Sequence, residues 1–542
     1  MHRYSPPFLL FAAALSAQTP EAAAPAKMPE PPAAMGTIQQ KELLAHATFL
    51  ASDELQGRLT GSPGQVAAAK YIADHFAQLG LEPLGETVEG KVSWLQHYAV
   101  QRTHVEEGTH LKIGGVALDK DFAILGGKAL DLALDAKAHF VGLGKKPAGE
   151  GADGGLDLDG KVAVAVIKPL KGKIDKTLSI EQKFMTSFTT FNNLGKTAKA
   201  LGKRGAKAVV FVQLADPSGL SDTLNYLALA KGKDSLVATF GGADPGMGAV
   251  AQMLGGDGAM PTLVLSVPAS ALVLGELGLP VETVAAYAAG GELPVAKDGV
   301  PVQGKLAVAI DANAKACNVV AVLRGSDPEL AKEAIVYSAH MDHVGTRIDG
   351  EVFNGADDNA SGSAGLLAIA TAFAKSKEKP RRSIIFLSVS GEELGLWGSA
   401  YYAANPTWPA TQIVANINTD MIGRNGPESA ADEVTVTPSN RHAMFSTIVQ
   451  DAARCGEVLG VKFESGDKYY ERSDHYNFAK KGIPVVFFCN GEHEDYHQVS
   501  DHADKLSGDK MEKIARLAFW TGWNVANAEA RPRKLGKREG WR

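Results

Sequence analysis

The chain has three cysteines in 542 residues, Cys317, Cys455 and Cys489. They lie far apart and lack the spacing of a thiolate metal knuckle. Cys317 and Cys489 fall in apolar runs and read as buried free thiols. A basic excess is also missing. With 55 Lys+Arg against 61 Asp+Glu the net charge is −6. Nothing here supports a nucleic-acid partner, which would need a basic face. Long apolar runs are missing too. The run from Phe8 to Leu15 is far too short to span a bilayer, and no other stretch is long enough, so no stable membrane span is expected. At this length two or more domains are expected.

His2 and Arg3 precede that short run, and Leu15-Ser16-Ala17 follows it as a small-residue cleavage site. This pattern predicts an export signal over 1–17 and a periplasmic or extracellular protein. Residues 18–36 are Ala/Pro/Glu-rich and read as a disordered linker. The stretch Gly64 to Leu79 places Ala69, Ile72, Phe76 and Leu79 on one helical face, with Gly80 as its stop. The loop before it, Glu54 to Ser62, reads as a connection, with Arg58 a candidate functional contact.

Between about Trp94 and Pro301 short β-like runs alternate with Gly/Asp turns: 160–167, 208–212 and 262–267. No catalytic constellation falls there. The reading is an inserted β-rich α/β domain over 96–301, dividing a main domain of 37–95 and 302–530. In the main domain, strand-like runs at 306–310, 318–323, 334–338, 383–389, 413–418 and 484–489 alternate with helical stretches. That predicts an α/β fold with a mixed, largely parallel sheet covered on both faces. Residues 531–542 form a basic tail, expected to be solvated.

Acids and imidazoles recur where these runs end. His340 and Asp342 end the first, and Asp357-Asp358 leads into the next helix. Glu392-Glu393 follows 383–389, Asp420 follows 413–419, and His497 follows 484–489 after a loop. One such residue is usually a cap. Several at one sheet edge, where α/β proteins bind ligands, point to a metal site. Imidazole and carboxylate suit zinc. One carboxylate of the Glu pair can ligate while its neighbour takes a proton.

The motifs His340-x-Asp342, Gly355-Ala-Asp-Asp-Asn-Ala-Ser-Gly362, Glu392-Glu393-x-Gly395, Asn418-x-Asp420-Met421 and Asp495-Tyr496-His497 resemble, in order and spacing, the di-zinc aminopeptidase family. That family includes bacterial leucyl-type aminopeptidases and glutamate carboxypeptidase. The insert resembles the protease-associated domain of some members. The resemblance implies two Zn2+ per chain. His340 and Asp420 would hold one ion, Glu393 and His497 the other, and Asp358 would bridge them. Glu392 would be the general base, and Asp342 would orient His340 by accepting its second N–H. Tyr470 would hydrogen-bond the developing oxyanion. His343 would be a supporting or cleft-wall residue, His475 and His493 would not be ligands, and Asp357 would organise its turn. The implied activity is removal of N-terminal residues from peptides. A carboxypeptidase, and a non-catalytic peptide-binding protein on the same scaffold, are the alternatives.

Overall fold

The computed structural model describes residues 30–144, 157–167, 180–214, 228–241, 260–347, 350–426 and 429–540. The expected signal segment and most of the linker lie outside them. The described end of the linker is ordered: Ala33–Thr37 forms a 3-10 turn whose Ala34 and Met35 pack on the main core. The tether therefore stops short of residue 36, because two apolar side chains anchor it.

Four fully parallel strands form the centre of the main sheet, in the order Ser383–Val389, Ala334–His340, Ile413–Thr419 and Val485–Cys489. Every residue of these strands is buried. Continuous apolar runs of this kind need cover on both faces. Gly362–Lys375 and Gly508–Asn527 supply part of it, packing Leu367, Phe373, Leu517 and Phe519 into one core with Ile335, Tyr337 and Phe386. Antiparallel strands extend the sheet at both ends: Pro301–Leu323 beside Ser383–Val389, and Glu433–Thr437 beside Val485–Cys489. The mixed, mainly parallel α/β sheet expected from the sequence is thus present.

Pro301–Leu323 is one strand of 23 residues where two were expected. A bulge between Asp311 and Ala314 interrupts its register with Leu95–Val105, and Asn313 N donates to Asp311 Oδ1 at 2.9 Å. This local Asx contact imitates a turn in sequence while the strand bends and continues. The two long strands run from the main sheet into the insert. Parallel strands Val162–Val166, Ala208–Val212 and Thr262–Leu265 build two further apolar clusters, one of which also takes in Val302, Leu306 and Val308.

Pro63–Gln78 is the predicted N-terminal helix, capped by Ser62, whose side chain accepts from Gln65 N. Residues 531–540 are docked through their backbone, while most of their side chains stay exposed, as expected of a solvated basic run. Leu535 packs on the core, and backbone bonds join Arg533, Leu535 and Arg538 to Thr447, Phe445 and Asn440. An apolar residue inside the basic run accounts for the docking. The three cysteines are buried free thiols. Among the described residues no single helix is long and apolar enough to cross a membrane.

Candidate metal centre

Parallel strands end at one edge of the sheet, and the turns beyond them carry the polar residues. His340 is the last residue of its strand. Its Nδ1 lies 3.2 Å from the backbone carbonyl of Asp342. With Nδ1 donating there, the Nε2 lone pair faces the centre. This corrects the expected role of Asp342, whose carboxylate is 3.8 Å from Nδ1. That carboxylate instead accepts Thr60 Oγ1 at 2.7 Å and Glu392 N at 3.4 Å. It therefore ties the turn after His340 to the turn bearing Glu392.

Asp358 sits in an irregular turn just before Gly362–Lys375. The backbone N–H groups of Asp357 and Asp358 both donate to Asp501. Asp357 itself accepts Gly423 N at 2.6 Å and faces His493 Nε2 at 3.2 Å, which keeps both outside the centre. Asp420 follows its strand and accepts Ser473 Oγ at 2.8 Å. His497 comes from a loop and takes a left-handed φ of 54°.

Asp358 lies between two groups of donors. On one side, His340 Nε2 is 3.4 Å from Asp358 Oδ1 and 3.3 Å from Asp420 Oδ1. On the other, His497 Nε2 is 2.9 Å from Asp358 Oδ2 and 3.0 Å from Glu393 Oε2. The structure thus brings His340, Asp358, Glu393, Asp420 and His497 together, with ligand-competent atoms of each group within 4.8 Å of one another. His343 joins the second group, its Nδ1 2.6 Å from Glu393 Oε1. Glu392 approaches from the cleft side, 3.9 Å from His340 Nε2.

Burial and charge act against each other here. Burial lowers His340 and His497, but the facing acids outweigh it. His340 is held well above the usual imidazole value by Asp420 and Glu392, and His497 is raised to about 10, chiefly by Glu393. Burial raises Asp358, yet the imidazoles of His340 and His497 pull it well below the usual carboxylate range. Glu392 is held well above that range by burial, with Asp420 and Glu393 adding to the rise against His340.

The donor set fits zinc. Buried His340 Nε2, His343 Nε2 and Asp420 Oδ1 have no hydrogen-bond partner of good geometry, a costly state for polar atoms unless a cation takes the lone pairs. Neutral imidazole and carboxylate are zinc's usual nitrogen and oxygen donors. His340, Asp420, Glu393, His497 and a shared Asp358 would hold it.

An open cleft leads to this centre. Asp358, Glu392 and Asp420 form its inner end, and Met421, Phe487, Tyr469, Tyr496 and Arg472 line it further out. Tyr470 does not line it. Its ring lies tilted against that of His442, centroids 4.1 Å apart, so of the adjacent pair it is Tyr469 that faces the cleft, its hydroxyl accepting Glu492 N at 3.4 Å. His475 is also remote, stacked on Phe487 at 4.4 Å. Sequence reasoning missed Thr60, Ser473 and Asp501. The Ser473-Asp474-His475 run adjoining Tyr470 was the available signal for the second.

Residues 318–521 match the model of peptidase family M28. A probable zinc metalloprotease of Pyricularia oryzae is 27% identical over 299 residues, 46% of this chain and 57% of that protein. Leupeptin-inactivating enzyme 1 of Streptomyces exfoliatus is 31% identical over 195 residues, 35% of this chain and 39% of that one. The chain spans little more than half the length of curated relatives such as the first. A solved zinc aminopeptidase from Bacillus subtilis superposes with a TM-score of 0.52 at 17% identity, over 91% of this chain and 96% of that one, a likeness of fold. Every strand-end acid and imidazole described above lies inside the segment that matches peptidase family M28.

Proposed function

We propose that the chain is an exported, zinc-dependent aminopeptidase that removes N-terminal residues from peptides. The observation that carries this is the paired donor set sharing Asp358, with Glu392 beside it at the end of an open cleft. Two bound zinc ions would polarise the scissile carbonyl and lower the pKa of the attacking water. Glu392 accepts the proton from that water and returns it to the leaving amine. Burial beside Asp420 and Glu393 raises its pKa, which favours its holding the proton until it is passed to the leaving amine. His343 fixes Glu393, Ser473 fixes Asp420, and Asp342 couples the His340 and Glu392 turns. Tyr469 and Tyr496 shield the cleft from bulk water. The insert limits the size of substrate that reaches it. Export follows from the 1–17 pattern.

Hydrolysis of aminoacyl-nitroanilides before and after chelation tests the proposal. Loss on chelation and recovery with zinc are expected, and chelator-insensitive turnover would sink it. N-blocked against C-blocked dipeptides separates an aminopeptidase from a carboxypeptidase. A cleavage product in culture medium or periplasm, with a new N-terminus near residue 18, tests export.

A further inference from the structure

Gly57–Thr60 lies far ahead of residue 318 and outside the family-matched segment, yet it forms part of the floor of the centre. His343 N donates to Arg58 O at 3.2 Å and Gly345 N to Gly57 O at 3.0 Å. The arm therefore runs alongside the turn that follows His340. Gln56, Gly57 and Arg58 all take left-handed φ values, 48°, 66° and 48°. Two non-glycine residues in that region persist only where their surroundings over-determine them. A Cβ at Gly57 would lie 2.1 Å from Gly345 O, so the two backbones approach as only glycine permits.

Arg58 is 1% exposed. Among the described residues no carboxylate pairs with it. Its Nε donates to Met341 O at 2.8 Å, Nη1 to Asn354 O at 2.8 Å and to Leu50 O, and Nη2 to Gly355 O at 3.0 Å. Met341 stands between His340 and Asp342, and Gly355 is three residues before Asp358. One rigid fork thus joins the end of Gln40–Leu50, the His340 turn and the Asp358 turn. Lysine cannot reproduce this, because its donors radiate from a single nitrogen. A buried cation without an ion pair is costly unless its hydrogen bonds are complete and acids lie near. Asp358, Asp342, Asp501 and Glu393 are the acids whose charges favour it. Thr60 adds a second tie, donating to Asp342 at 2.7 Å and accepting Gly391 N at 2.9 Å beside Glu392.

We propose that Arg58 and Thr60 are positioning residues of the candidate metal centre: Arg58 clamps the turns carrying His340 and Asp358, and Thr60 locks the Asp342 turn to the one carrying Glu392. The clamp is a property of the chain; only its effect on zinc rests on the function proposed above.

Full-length R58K, T60V and T60S proteins, each checked by thermal unfolding, test it. In R58K, hydrogen exchange over 353–361 should quicken at least tenfold, and zinc affinity measured by chelator competition should fall at least tenfold. Wild-type exchange and affinity in a folded R58K would overturn the clamp. Should R58K not fold, T60V decides. It should lower kcat at least tenfold with KM within twofold, and T60S should restore it. Unchanged kcat in T60V, or no restoration by T60S, would overturn the proposal. A wild-type protein that binds no zinc would instead refute the function, and the exchange comparison would still decide the clamp.

Discussion

Two sets of parallel strands in this molecule are built alike and end differently. In the insert, Val162–Val166, Ala208–Val212 and Thr262–Leu265 are wholly buried, as are the central strands of the main sheet. Beyond the insert strands stand Ile167, Gln213 and Ser266. Gln213 Nε2 closes back onto Leu265 O at 2.9 Å, and Ser266 caps the following helix. His340 ends its main strand and Glu392-Glu393 and Asp420 stand beyond theirs, and all of them turn toward a shared space. The strand supplies burial and direction. The two or three residues after it decide whether the edge is a cap or a reaction centre.

The largest test of that contrast is Glu392→Gln. It keeps shape and removes the proposed proton carrier, so kcat should fall by about 10²–10⁴-fold. Zinc content and thermal midpoint should stay at wild-type values. Full activity in this variant would remove Glu392 from the chemistry and leave the main strand ends no more reactive than those of the insert.

Leu263→Ala probes the other side. The side chain is fully buried in the insert. Its truncation should cost roughly 2–5 kcal/mol of stability by leaving a cavity. Zinc stoichiometry below the transition should not change, since the insert contributes none of the candidate ligands. Loss of zinc with the fold intact would show that the two regions are coupled and break the comparison.

Tyr469→Phe and Tyr470→Phe make a finer test. Removing the Tyr469 hydroxyl forfeits a hydrogen bond worth about 0.5–1.5 kcal/mol and should raise KM severalfold. Tyr470→Phe should leave kcat and KM within twofold. The reverse ranking, measured on the same aminoacyl-nitroanilide, would restore Tyr470 to the cleft.

The adjacent tyrosines mark where sequence reasoning stops. The strand-end residues were legible because each lies at the end of its apolar run or within three residues of it, so local order placed His340, Glu392 and Asp420 at one edge. Tyr469 ends a 3-10 turn and Tyr470 follows it, and neighbours on so tight a turn point to different sides. No spacing says which side faces the cleft. Thr60 was illegible because its partner, Asp342, is brought near only by the folded sheet. Asp342 was read as a carboxylate acceptor for His340, yet its backbone carbonyl takes that part, a choice invisible in residue type. The exposure of the tail's side chains was legible in its charge, while its docking was not, because one leucine governs it.

The smallest expected effect sets the histidines of the centre against those elsewhere. His340 and His497 face acids and are held above the usual value. His46 lies between two helices, its Nδ1 2.7 Å from the Tyr71 hydroxyl and its ring 4.8 Å from that of His75. Burial lowers it to about 4, and the neighbouring His75 charge adds to the shift. His75 is itself lowered by burial; Glu42 opposes that and Lys375 reinforces it. An imidazole lowered in the folded state takes up protons more readily when unfolded. Stability is therefore complete above about pH 6.5 and declines as pH falls toward 4. In His46→Gln the fall of the thermal midpoint between pH 6.5 and 4 should be shallower, by a modest amount because the side chain is only part-buried. The midpoint is read on metal-free protein across that range. An unchanged slope would assign the acid sensitivity of the fold to the strand-end carboxylates, whose charges the imidazoles of the centre compensate.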